Sequence, residues 1–326
     1  MDPKFPGIVS CASSKLKIAI TVTENNPGTP AGDYYTATGL ARELERLGYE
    51  VVLLAMIPRM QWYDPPSDID VMLVLMEGCN IKKVKTGKKI ITVAWIRNHL
   101  EKWLSRRWFD AYDMILTSSE ESRRIVKERT GRDSGVLMIG VDPEVFRPLP
   151  PEKQYECDMV FTGNYWGVDR EIIDALDVRP EWDFRLYGRG WNRVRRLKGY
   201  WKGFVNYSEL PKIYSSAKIV LDDHNHVTKP YGMINSRTFE AMACGACVIT
   251  NAAKDIEKVF PWAVNVYHDG EELTRLIDSL LKDEGKRREM GERARRLVLE
   301  DHTYRSRALQ FGEYLEVFTG RAAGGS

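Results

Sequence analysis

The sequence predicts an α/β chain of two open, mostly parallel sheets facing one another across a cleft. Three observations predict it. Short apolar runs rich in β-branched residues alternate with amphipathic segments along most of the chain, the pattern of parallel strands covered on both faces. A proline-dense segment, Asp142-Pro-Glu-Val-Phe-Arg-Pro-Leu-Pro-Pro151, interrupts the alternation near the middle, where neither a helix nor a central strand can continue. The length of 326 residues suits two domains rather than one. We therefore expect one domain over residues 1–150 and a second over 151–326.

The first half opens with Lys17-Ile-Ala-Ile-Thr-Val-Thr23, a strand followed by a Pro/Gly loop from Asn26 to Gly32. Tyr35 to Leu47 has helical periodicity through Leu40, Leu44 and Leu47, and Gly48 ends it. Val51–Leu54, Val71–Leu75, Lys89–Val93, Met114–Thr117 and Val136–Ile139 read as further strands, with an amphipathic stretch at Leu100–Trp108. The second half starts again at Asp158–Gly163. Its strands are Phe184–Tyr187, Ile219–Leu221, Cys247–Thr250 and Val264–Val266. Its helices are Asp169–Leu176, Ser208–Ser215, Ser236–Ala243 and Glu271–Leu281, and the charged remainder from Asp283 to Phe318 is helical.

The net charge of +2 gives no global field for nucleic acid. No apolar run is long enough to span a bilayer, and Met1–Ser14 lacks the features of a signal peptide. The five cysteines are odd in number and scattered, so free thiols and a cytoplasmic protein are expected. Arg321–Ser326 reads as a disordered tail.

Ligands of open α/β sheets sit beyond the carboxyl ends of the strands, so the loops there carry the candidate residues. Pro27-Gly-Thr-Pro-Ala-Gly-Asp33 follows the first strand. It is not a dinucleotide fingerprint, and no acid follows the second strand to hold a ribose. Asp33 reads either as a helix N-cap or as a carboxylate facing the cleft and able to take a hydroxyl proton. Trp95-Ile-Arg-Asn-His99 offers a ring for a sugar face and, in Arg97 and Asn98, donors for hydroxyls or carboxylates. Tyr187-Gly-Arg-Gly-Trp191 puts Gly188 and Arg189 at a strand end, as suits a phosphate; Gly163 and Asn164 stand at the corresponding place one strand earlier. Asn235-Ser-Arg-Thr-Phe-Glu-Ala-Met-Ala-Cys-Gly245 is the most specific stretch. Arg237 and Glu240 share a helix face, either as a surface ion pair or as a diphosphate and ribose site with Asn235 at the helix start. Cys244-Gly-Ala-Cys247 reads as packing rather than redox. Asp222-Asp-His-Asn-His226 leaves a metal open as the lesser reading.

Asn235–Gly245, Tyr187–Trp191 and Asp301-His-Thr-Tyr304 resemble motifs of the spore-maturation (CgeB-like) glycosyltransferases, a branch of the GT-B superfamily. Gly32-Asp-Tyr-Tyr35 and Val93-Ala-Trp-Ile-Arg97 are similar to matching positions in the same branch. Gly140-Val-Asp-Pro-Glu-Val-Phe-Arg-Pro148 is similar to the hinge of family 4 glycosyltransferases. The resemblance implies two Rossmann-like domains, the first for the acceptor and the second for a nucleoside-diphosphate sugar, with a final helix crossing back to the first. It implies that Glu240 binds the donor ribose, that Asn235, Arg237 and Arg189 lie near the diphosphate, and that neither a metal nor a further cofactor is needed. Retaining family 4 enzymes carry a second glutamate eight positions before the one matching Glu240, where this chain has Gly232. An inverting mechanism with Asp33 as base follows.

The expectation is thus a hexose transfer from a nucleotide sugar to an acceptor hydroxyl. Asp33 is catalytic. Gly163, Asn164, Tyr187, Gly188, Arg189, Asn235, Arg237 and Glu240 are on the donor side, and Gly32, Trp95, Arg97 and Asn98 on the acceptor side. The acceptor, whether glycan, lipid-linked or protein, and any peripheral membrane contact stay open. The rivals are a non-hydrolysing nucleotide-sugar epimerase using Asp222–His226, and a binding module that senses nucleotide sugars without chemistry.

Overall fold

The structure, a computed structural model, describes residues 16–165 and 167–320. The expectations for Met1–Ser14, Cys11 and Arg321–Ser326 lie outside the described residues.

The first unit comprises β1 (Lys17–Glu24), α1 (Gly32–Arg46), β2 (Glu50–Ile57), β3 (Val71–Val74), β4 (Ile91–Ile96), α2 (Leu100–Leu104), β5 (Met114–Thr117), α3 (Glu120–Thr130) and β6 (Gly135–Val136). Its six strands are parallel in the order β2-β1-β3-β4-β5-β6. The second unit comprises β7 (Cys157–Thr162), α4 (Glu171–Ala175), β8 (Phe184–Tyr187), α5 (Leu210–Ser216), β9 (Ala217–Leu221), α6 (Ser236–Ala243), β10 (Val248–Asn251), α7 (Ile256–Val259) and β11 (Asn265–Tyr267), followed by α8 (Gly270–Lys282), α9 (Glu284–Asp301) and α10 (Tyr304–Thr319). Its five strands are also parallel, in the order β11-β10-β9-β7-β8. The central strands are buried on both faces, as Val71–Val74 is throughout. That explains why they read as continuous apolar runs rather than alternating ones.

In both sheets the strand order reverses beside the first strand. In one, β1 lies between β2 and β3; in the other, β7 lies between β8 and β9. A crevice opens at the carboxyl ends of such a switch point, so the loops after β1 and β7 are the places each domain offers to a ligand.

The last helix belongs physically to the first domain. Tyr304, Ala308, Phe311 and Leu315 of α10 are buried in one apolar cluster with Ala37, Leu40 and Leu44 of α1 and Ile18, Ile20 and Val22 of β1. The two connections between domains also meet. Val141 donates its N–H to His302 O (2.9 Å) and accepts from Tyr304 N–H (2.9 Å), a parallel bridge between Val141 and Thr303.

Three details differ from the sequence reading. The strand expected at Lys89–Val93 runs from Ile91 to Ile96, because Ala94, Trp95 and Ile96 are fully buried and continue it. The strand expected over Val136–Ile139 pairs only through Gly135–Val136 before the chain enters the connection. Helix α3 was not expected. Its sequence, EESRRIVKERT, is mostly charged, and only Glu121, Ser122 and Val126 are buried, so apolar periodicity gives almost no signal. It is fixed instead by Ser119, which caps it by accepting from Ser122 N–H (3.1 Å).

Candidate active site

A cavity of about 210 Å³ lies between the domains. The first domain contributes Thr29, Pro30, Gly32, Tyr35 and Thr36, from the loop after β1 and the first turn of α1. The second contributes Thr162, Gly163 and Asn164 after β7, Tyr187 and Gly188 at the end of β8, and Ser236, Arg237 and Glu240 from the start of α6. Tyr304 of α10 closes one side. The walls are thus the two switch-point loops and two helix N-termini. Both helix dipoles direct partial positive charge inward, which favours anionic groups there.

The second domain's wall is built on a close approach of loops. A Cβ on Gly188 (φ +140°) would lie 2.0 Å from Gly163 O, and one on Gly163 2.5 Å from Arg237 Nη2. Glycine at these positions lets the β7 and β8 loops touch and lets Arg237 cross over them. The Arg237 guanidinium is 4.3 Å from the centroid of the Phe161 ring, and its Nη1 donates to Asp222 Oδ1 at 2.7 Å. Asp222, with no exposed surface, also accepts from Thr238 Oγ1 (2.8 Å), Asn235 Nδ2 (3.1 Å) and Thr250 Oγ1 (3.2 Å). Burial works against the Arg237 charge, but Asp222 and Asp223 outweigh it and hold the guanidinium above its ordinary value. The result is a cation locked in one place at the mouth of α6.

Glu240 is 5% exposed. Burial pushes its pKa up to about 7, against hydrogen bonds from Tyr207 and Ser236 and the charge of Arg237. Tyr207 Oη donates to its Oε1 at 2.8 Å. No ion pair joins Arg237 and Glu240, which removes the surface-pair reading. Each has its own partner, and each faces the cavity.

On the opposite wall, Asp33 is the second residue of α1, and the helix N-cap is Ala31. Asp33 is therefore not the cap. Its Oδ2 accepts the N–H of Thr23 at 2.5 Å, tying the end of β1 to the helix, while its neighbours Gly32 and Thr36 line the cavity. Arg97, 8% exposed, donates weakly to Thr36 Oγ1 (3.3 Å) and Leu75 O (3.4 Å). Burial pushes its guanidinium below the ordinary value, against the nearby charge of Asp33.

The structure thus brings Gly32, Gly163, Asn164, Tyr187, Gly188, Arg237 and Glu240 together around one cavity, with Asp33 and Arg97 immediately behind its wall. Four expected residues are placed differently. Trp95 is inside β4, fully buried, with its indole N–H donating to Leu137 O at 2.7 Å; it is core and cannot stack on a sugar, which corrects the acceptor-side expectation. Asn235 turns its amide inward to Asp222 and to Asp223 O (3.0 Å), so it braces the helix start rather than facing the cavity. Arg189 is exposed and lies over the Phe204 ring at 4.4 Å, outside the lining. Asn98, expected on the acceptor side, is half-buried two residues past β4 and does not line the cavity. Lining residues that sequence reasoning missed include Thr36, Tyr207 and Tyr214, and Tyr35 stood only within a quoted motif. Tyr35 stacks on Tyr207 with ring centroids 3.7 Å apart and planes 13° apart. Tyr304, quoted only as part of a motif, turns out to line the cavity.

The acid and histidine run after β9 is committed elsewhere. Asp222 holds Arg237, Asp223 faces Arg170 (3.4 Å), and His224 is fully buried against Thr250 and Asn251. Among the described residues, no group of three or more His, Cys, Asp or Glu side chains is arranged to hold a metal ion. Cys79, Cys157, Cys244 and Cys247 are free and buried, and burial pushes the Cys247 thiol up to about 11, which suits packing. No helix among the described residues is long and apolar enough to cross a membrane.

Two Rossmann-like domains, a cavity between their switch points and a helix returning to the first domain define the GT-B fold. Residues 164–313, most of the second domain and the first part of α10, match the model of the glycosyl transferase-like family. Solved structures of similar fold include sucrose-phosphate synthase from Thermosynechococcus elongatus (TM-score 0.71, 14% identity, covering 94% of this chain and 100% of that one). They also include HepE from Anabaena in complex with UDP and glucose (0.69, 14%, 93% and 100%), and the T4 phage β-glucosyltransferase (0.66, 14%, 93% and 99%). No curated protein matches the sequence.

Proposed function

We propose that this protein is a glycosyltransferase that moves a sugar from a nucleoside-diphosphate sugar to an acceptor hydroxyl. One observation carries the reading: the start of α6 presents a fixed cation, Arg237, and a buried carboxylate, Glu240, to a cavity whose opposite wall belongs to the other domain. A carboxylate accepts the two hydroxyls of a ribose, and an arginine at a helix N-terminus holds a diphosphate. The HepE structures contain UDP and UDP-glucose, which makes a uridine nucleotide the first donor to try.

In this reading the acceptor enters from the α1 side. Asp33, anchored through Oδ2, takes the hydroxyl proton on its other oxygen as the hydroxyl attacks the anomeric carbon. Arg237 and the α6 dipole stabilise the diphosphate as the bond to the sugar breaks. Configuration inverts, because a single in-line displacement is made and Gly232 offers no carboxylate. Cationic side chains replace a divalent ion, so turnover survives chelation. The epimerase reading needs acids and histidine at the anomeric carbon, and Asp222, Asp223 and His224 are buried behind Arg237 instead.

The test is a thermal-shift screen with nucleoside diphosphates and nucleotide sugars, followed by turnover in EDTA. Stabilisation by about 2.7 kcal/mol is expected at a hundredfold excess of ligand over its Kd. Donor binding without turnover on any acceptor would favour the sensor. Loss of turnover in EDTA, restored by Mg²⁺ or Mn²⁺, would overturn metal independence.

A further inference from the structure

Tyr207 touches three parts of the molecule at once. Its hydroxyl donates to Glu240 Oε1 at 2.8 Å. Its ring stacks on Tyr35 of α1, in the opposite domain, with centroids 3.7 Å apart. The edge of the same ring meets Phe146, in the proline-rich connection, at 5.2 Å in a T-shaped contact. Tyr35 is itself fixed, since its hydroxyl reaches Pro27 O (2.8 Å) and Thr29 O (3.0 Å) in the loop after β1. A rigid chain of contacts therefore runs from the acceptor-side loop through two rings to the carboxylate on the donor side.

Such a chain is complete only while the two walls are together. If the cleft opens, Tyr207 loses the stack that sets its ring, and Glu240 loses a fixed hydrogen-bond donor. Building on the reading of Glu240 as the donor carboxylate, we propose that Tyr207 is a positioning residue that ties Glu240 to the Tyr35 face of the opposite domain, so that donor affinity rises as the cleft closes. Ser236 assists from the helix start. The consequence is that a donor is held firmly only in the arrangement that also presents the acceptor wall and sheds water.

The groups facing Glu240 are Arg237 and Ser236 on its own helix, Cys244 just past that helix, Asp222 just past β9, Tyr214 on α5, Tyr304 on α10 and Tyr207. A tyrosine hydroxyl donating to the carboxylate favours its ionised form, so removing that hydroxyl raises the pH at which Glu240 loses its proton.

The experiment is calorimetric titration of UDP from pH 6 to 9 into wild type, Tyr207→Phe, Tyr35→Ala, Tyr35→Phe, the Tyr35→Ala/Tyr207→Phe double variant and Glu240→Gln, with folding of each checked by its melting temperature. Tyr207→Phe should weaken UDP binding roughly 5–10-fold at pH 7 and shift the fall in affinity at low pH to higher pH. Tyr35→Ala should weaken it about 3-fold, and Tyr35→Phe, which keeps the stacked ring but loses the hydroxyl's hold on Pro27 O and Thr29 O, should bind between Tyr35→Ala and wild type. The double variant should bind no more than about twofold weaker than Tyr207→Phe, since the two act through one chain. Multiplying losses in the double variant, or an unmoved pH profile in Tyr207→Phe, would overturn the proposal while Glu240→Gln still weakens binding. If Glu240→Gln binds UDP like wild type, or wild type binds none, the donor reading itself fails and this proposal falls with it.

Discussion

Glu240 makes a prediction in which stability and binding move in opposite directions. Burial raises its pKa from 4.5 to about 7, so the folded protein holds a proton that the unfolded chain gives up earlier. For an acid raised in this way, the stabilising contribution is present below pH 4.5 and is lost as pH rises through 7. Over the full range the loss is worth about 3 kcal/mol, most of it between pH 5 and 8.5. Glu240→Gln keeps the shape and an oxygen for Tyr207 but cannot ionise. The variant should therefore exceed wild type by no more than about 1 kcal/mol at pH 5 and by about 3 kcal/mol at pH 8.5, because titrating groups remote from Glu240 cancel in the difference. The same substitution should weaken nucleotide binding by about 1.5–3 kcal/mol, the value of hydrogen bonds to a charged acceptor. Urea denaturation of both proteins at the two pH values, with calorimetric titration of UDP at pH 8.5, measures both. A stability difference that is flat with pH would show that Glu240 does not titrate in this window. Unchanged UDP affinity would remove it from the donor site.

Three further outcomes are expected. Arg237→Ala leaves the fully buried Asp222 carboxylate without its cation and should cost about 3–5 kcal/mol of stability, visible in urea denaturation, whereas Arg237→Lys, which keeps a charge, should cost clearly less; equal losses would show that the pair is not held as described. Asp33→Asn keeps an oxygen for Thr23 N–H, so the fold and UDP affinity should persist while kcat falls about 10²–10⁴-fold; a near-normal rate, or retained configuration in the NMR spectrum of the product, would remove Asp33 as base. Gly39→Ala on α1 would place a Cβ 2.4 Å from the Tyr304 ring and should destabilise the protein by about 1–3 kcal/mol through overpacking; an unchanged melting temperature would mean that α10 is not seated on α1.

The parts of the molecule legible in the sequence are those whose signal is local. Val71–Val74 and Ile219–Leu221 show as strands because burial on both faces leaves an apolar run. The α6 stretch shows because Arg237 and Glu240 are unusual on an otherwise apolar helix. Trp95 is misplaced for an equally local reason: three residues of error in a strand end turn a core ring into a loop ring. Asn235 and Arg189 were placed by type and offset alone, and neither reveals that the nearest strong partner lies elsewhere, in Asp222 for one and Phe204 for the other. Tyr207 was invisible because nothing around Asn206-Tyr-Ser-Glu209 marks it. Its importance comes from Tyr35 and Phe146, which lie far away in the chain and come near only once both domains are assembled. Tyr304 is legible, since it ends the motif Asp301-His-Thr-Tyr304 and stands where the returning helix begins.

The bridge between Val141 and Thr303 has a mechanical consequence. Two covalent links that are hydrogen-bonded to one another act as a single strap, and a strap bends more easily than it shears. The domains therefore have one easy relative motion, opening about that strap like covers about a spine, while sliding and twisting are resisted. Displacement is smallest near the spine and grows with distance from it. Bond cleavage within Asp142–Pro151 would not release the halves, because His302–Tyr304 still joins them and the strap survives as one strand. Limited proteolysis there should yield a nicked protein that still migrates as one particle under native conditions.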